Sequence, residues 1–203
     1  MRPQSFYLRS AAVAACTATL LSCNPEAATK PTGAPDFARG GVPVTPGPAT
    51  YAYHAGDAFL AALNPAFAPD VAMAANGDRI EFVGTGTLSV FPKAVTGGGT
   101  FKHMTSAGAV VAMGTWTATE LLSFQSYGGS TAVPATFRAG LAMIRVHLTP
   151  SGGGGLDATL RISCHLPGTE IPGGFEEGIR LAVDGAVNFN HEVSGNTLFL
   201  TTP

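Results

Sequence analysis

Beyond residue 50 the chain alternates between apolar and polar positions with the short period of extended strands. In "IEFVGTGTLSV", Ile80, Phe82, Gly84, Gly86, Leu88 and Val90 alternate with Glu81, Thr85, Thr87 and Ser89, the mark of a sheet with one covered face. Just before it, Asn76-Gly77 sits between apolar runs, a strong hairpin signal because both residues tolerate the left-handed turn. The segment "TFKHMTSAGAVVAMGTW" repeats that shape, turning at Ser106-Ala107-Gly108. Ala142, Ile144, Val146 and Leu148 then alternate with Leu141, Met143, Arg145 and His147. Ala158, Leu160, Ile162 and Cys164 alternate with Asp157, Thr159, Arg161 and Ser163. The glycines of "SGGGG" at 151–155 separate these two runs and predict antiparallel neighbours joined by a loop. Ile179, Leu181 and Val183 begin another strand, and "VNFNHEVSGNTLFL" reads as a closing hairpin around Ser194-Gly195-Asn196.

One stretch has a helical pattern, "GDAFLAALNPAF", starting at Asp57 and stopped by Pro65. About eight to ten strands with one short helix near the start predict an all-β domain, either a small antiparallel barrel or a two-sheet sandwich, since open strand edges invite pairing with other chains. The strand glycines Gly84, Gly86 and Gly114 favour the barrel through their tolerance of tight curvature. This single β domain covers residues 51–203. Residues 23–50 are dense in Pro, Gly, Ala and Thr and predict an extended spacer.

The N-terminus has another character. Arg2 and Arg9 precede the apolar run "AAVAACTATLL" at 11–21, the layout of an export signal over residues 1–22 and too short to span a bilayer, which needs about 20 apolar residues. Its end, Leu20-Leu21-Ser22-Cys23, resembles the lipobox of bacterial lipoproteins. The resemblance implies cleavage before Cys23, lipid attachment at that residue and a place in the bacterial cell envelope. Asn24 after the cysteine implies the outer membrane where the organism has one. Contact with the membrane is then expected through the N-terminal lipid only.

Charge narrows the partners. With 11 Lys and Arg against 13 Asp and Glu, and no basic cluster, the chain lacks the footprint of a nucleic-acid binder. Of 3 cysteines, Cys16 leaves with the signal and Cys23 takes lipid, so Cys164 remains alone and is expected to end an apolar face, buried and inert. The five histidines show no H-x-H or H-x-x-x-H spacing, and no P-loop, G-x-S-x-G, C-x-x-C or helix-leading G-x-G-x-x-G occurs, so no metal or cofactor is expected.

Two places hold candidate chemistry. In "GTWTATELLSFQSYGG" regular alternation puts Trp116, Ala118, Glu120 and Leu122 on one face, where an enclosed Glu120 would have its pKa raised and be poised as an acid or base. Arg145 and His147 share one strand face and together suit an anionic ligand and a proton transfer. The wholly apolar opposite face argues that both lie outside. The expected function is therefore an envelope-anchored β domain with a non-catalytic binding or structural role, its partner a protein or a small molecule. The alternative is a small-barrel lyase, isomerase or hydrolase using Glu120, Arg145 and His147.

Overall fold

The computed structural model describes residues 49–169 and 171–202. The expected export signal, the lipid-bearing Cys23 and nearly all of the spacer lie outside the described residues. The strands are β1 (Thr50–Ala55), β2 (Asp70–Ala74), β3 (Arg79–Ser89), β4 (Ala94–Met104), β5 (Val110–Gly128), β6 (Phe137–Pro150), β7 (Leu156–Cys164), β8 (Gly178–Val183), β9 (Asn188–Ser194) and β10 (Thr197–Thr201). Helix α1 (Ala58–Leu63) follows β1. Asp57 caps it, accepting from the Leu60 amide at 3.1 Å, and the chain passes into a short 3-10 turn at Pro65–Phe67. The fold is all-β with one short helix, as the alternation predicts.

All strand pairs are antiparallel, and two long strands close the sheet by changing partners along one edge. β3 pairs first with β2, through Asp70 and Phe82, and then with β1, from Ala55 and Gly84 to Thr50 and Ser89. β6 pairs with β10 at Phe137 and Arg138 and with β7 from Gly140 to Leu148. Their other edges run along β4 and β5. Between β3 and β6 the circuit therefore runs through β2, β9, β8 and β7 at one end, and through the narrower β1 and β10 at the other. Closure of this kind leaves few free edges.

The inner faces form one apolar core that includes Tyr53, Phe82, Trp116, Ile144, Leu160, Ile162, Ile179 and Phe199. Cys164 ends its run at 0% exposure, as expected of a thiol on the apolar face. The strand glycines have a more specific reason than curvature. Trp116 lies flat over Gly84 and stacks on Phe82 at 4.7 Å, with its Nε1 donating to the Val83 carbonyl at 3.0 Å. A Cβ at Gly86 would stand 2.6 Å from the Tyr53 hydroxyl, which donates to Thr96 O at 3.0 Å. These glycines make room for large rings inside a narrow barrel.

Two expectations are corrected. The alternation of β5 breaks at a bulge between Ala118 and Glu120, so Leu121 turns inward at 2% exposure and Glu120 points out. Ser194-Gly195-Asn196 does not close a hairpin: β9 pairs with β2 and β8, and β10 pairs with β1 and β6. Gly195, at φ +95°, carries the chain across the start of β2, where a Cβ would collide with the Asp70 backbone.

Candidate functional site at the barrel mouth

At the wide end the last inward side chains do not meet, and a cavity of about 230 Å³ opens there. Ile80, Phe101, Ala112, Leu148, Val183 and Phe189 form its walls, and Val111, Pro150, Leu156, Ala186 and Val187 form its rim. His103 is the one titratable group in the lining. Sequence and register explain its place. It follows Phe101 by two residues, and both face inward opposite Ile80 and Phe82 of the neighbouring strand.

Asp78, just after the Asn76-Gly77 turn, reaches His103: its Oδ2 lies 3.1 Å from Nε2. Its Oδ1 accepts from the Ser106 amide at 3.2 Å, which ties the two neighbouring hairpin turns together. The hydrogen bond from His103 holds the Asp78 carboxyl below the usual carboxylate range. With the ring neutral, a carboxylate at Nε2 selects the tautomer whose proton sits there. Nδ1 is then the acceptor, and it has no hydrogen-bond partner among the described residues. The ring meets Phe189 edge-on at 5.1 Å, which steadies its plane. The result is an oriented imidazole with one uncommitted nitrogen beside an apolar cavity, the arrangement that positions a general base.

The structure places the candidates Glu120, Arg145 and His147 elsewhere. Glu120 and Arg145 are register partners across β5 and β6, on the outer face. Arg145 spends its guanidinium on Asp184, at 2.6 and 3.2 Å, and on the Thr159 hydroxyl at 3.0 Å. That hydrogen-bonded pairing lowers the Asp184 pKa. His147 bonds Asp157 at 2.8 Å, also outside. None of the three lines the mouth.

A second polar cluster lies where the two closures meet. The Glu177 carboxyl accepts the backbone amides of Thr197, at 2.8 Å, and of His165. It thereby joins the end of β7 to the start of β10, which no strand pairing does. Burial pushes its pKa up to about 7. The Thr197 hydroxyl lies 2.8 Å from Ser163 O and 3.1 Å from Glu177 Oε1, either of which can accept its one proton. Asp70 is fully buried nearby, and neither of its oxygens has a side-chain partner. Burial, and then the Glu177 charge, raise its pKa well above the usual range, while the Ile179 and Val71 amides offset only part. On the outer side Glu192 is held by Arg161 and Arg180, each at 2.6 Å, and Arg161 lies over the Phe175 ring at 4.5 Å. These contacts pin the loop between β7 and β8 to the barrel. The cluster is a structural seam, with Glu177 engaged by backbone amides and Glu192 by two arginines.

Among the described residues no three His, Cys, Asp or Glu side chains come together so as to hold a metal ion. None of the described helices is long and apolar enough to cross a membrane. Comparison with family models, curated proteins and solved structures returned no match. His103 and Asp78 were legible only in part: alternation puts His103 on the Phe101 face, but nothing local shows that a turn acid meets it.

Proposed function

We propose that the barrel mouth is the working site of the protein. It takes up a small, mostly apolar molecule and sets His103 against it as an acid–base group, the chemistry of a small-barrel isomerase or lyase. The observation that carries this reading is Asp78 on Nε2 of an imidazole whose Nδ1 is left without a protein partner beside the cavity. The roles first assigned to Glu120, Arg145 and His147 pass to His103, as base, and to Asp78, as the group that orients it. A second reading, non-catalytic uptake of the same molecule, draws support from the lining itself, which offers no charged side chain besides the histidine.

The sequence resemblance at Leu20–Cys23 supports an envelope anchor through lipid on Cys23. The chain enters the barrel at Thr50, whose register partner is Ser89, at the end opposite the mouth.

Cyclohexanone in deuterium oxide tests the catalytic reading. Nδ1 takes an α-proton, the C–H electron pair moves toward the carbonyl oxygen, and a deuteron from solvent returns to carbon. Wild-type protein is expected to exchange the α-positions about 100-fold faster than His103→Gln, within the usual contribution of a positioned base. Equal rates for the two proteins, with the ketone shown to bind both, would overturn catalysis and leave the uptake reading standing.

A further inference from the structure

We propose that the molecule taken up at the mouth is electrically neutral there and gives His103 a hydroxyl proton: an alcohol or enol on a compact hydrocarbon body, not a carboxylate or a phosphate. This rests on the mouth being the binding site and adds the chemical class of its ligand.

Three observations converge on it. The first is charge. No Lys or Arg lines the cavity: Lys102 is engaged with Glu81 at 2.6 Å and Arg145 with Asp184 at 2.6 Å, and Arg79, beside Asp78, is exposed and lies outside the lining. An anion entering the mouth would lose its hydration without gaining a counter-charge, and the acidic Asp78 would stand behind the imidazole it met. A cation fares no better, because both oxygens of Asp78 are occupied, by His103 and by the Ser106 amide. The second is hydrogen-bond polarity. With the proton held on Nε2 by Asp78, Nδ1 is a lone-pair acceptor and calls for a donor. A hydroxyl supplies one, whereas an ether or an ester leaves two acceptors facing each other. The third is shape. Phe101 and Phe189 wall a space of about 230 Å³, below the roughly 300 Å³ at which drug-sized sites begin. That suits a single ring or a short branched chain.

The test uses one carbon skeleton with three head groups: cyclohexanol, cyclohexane and cyclohexanecarboxylate. Each is titrated into the protein at pH 7.5 and followed by the methyl resonances of Leu148 and Val183. Cyclohexanol is expected to bind about 5-fold tighter than cyclohexane, the yield of one net hydrogen bond, with the carboxylate at least 10-fold weaker than the alcohol. His103→Phe should erase the alcohol's advantage while cyclohexane still binds. Asp78→Asn, nearly the same in shape, should reduce that advantage in a protein that keeps its fold. Alcohol and hydrocarbon binding equally well, or the carboxylate binding best, overturns the hydroxyl assignment and leaves the mouth as a site. If none of the three shifts the mouth methyl groups, the site itself is refuted and the assignment falls with it.

Discussion

Gly84→Val is expected to abolish or nearly abolish folding, with a loss of about 3 kcal/mol or more in denaturant unfolding. A side chain at this position would overlap the Trp116 ring, and its Cβ would stand 2.7 Å from the Gly98 carbonyl oxygen of the facing strand. Neither neighbour yields cheaply. The indole is 2% exposed, stacked on Phe82 and tied by its Nε1 to Val83 O, so moving it gives up packing and leaves a buried donor unpaired. The backbone of β4 is fixed by the ladders on both its sides. Replacing Trp116 with Leu in the same chain should recover part of the loss, because the two positions share one volume and their effects cannot add. A cost below about 1 kcal/mol for Gly84→Val would show that the ring does not rest on this glycine.

The seam predicts an unusual dependence of stability on pH. Glu177 and Asp70 both have folded-state pKa values raised by burial, Glu177 from 4.5 to about 7. The folded state therefore holds protons that the unfolded chain releases. The stability they contribute is fully present below the unfolded values and is lost as pH rises through the folded ones. Between pH 5 and pH 8 the free energy of unfolding should fall by roughly 2 kcal/mol, whereas carboxylates in ion pairs usually make proteins more stable over the lower part of that range. Glu177→Gln cannot lose a proton and should flatten the profile. It should also lower stability at pH 5, since one amide group now meets the His165 N–H that the carboxyl accepted. Stability that rises across this window in the wild type, or a Glu177→Gln profile of unchanged slope, would contradict the assignment of the seam.

Much of the barrel was written in local pattern. Alternation marked the inner faces of β3, β6 and β7 residue by residue, because side chains on a strand must point to opposite sides and only one side is dry. Asn76-Gly77 and Ser106-Ala107-Gly108 marked turns, because positive φ is needed there. What local pattern does not carry is the choice of partner. β9 and β10 read as one hairpin since they are consecutive and strand-like, yet the seam at Gly195 sends them to different neighbours. A bulge such as the one before Glu120 flips the faces until the next one, between Leu121 and Ser123, and neither has a sequence mark of its own. The site was hidden for the same reason. Lone histidines gave no spacing to interpret, and Asp78 meets His103 only after β3 and β4 have paired. Arg145 and His147 were conspicuous because they stand together in the sequence, and they stand together on the outside.

A crystal structure under xenon pressure puts the ligand-sized apolar cavity beside His103 to the sharpest test. Xenon enters apolar cavities and is excluded from those filled with ordered water or side chains. Xenon density is expected between Phe101, Leu148, Val183 and Phe189, within van der Waals reach of the His103 ring. A mouth that takes up no xenon because side chains close over it, or that holds a hydrogen-bonded chain of water, would rule out an apolar binding cavity at this end of the barrel.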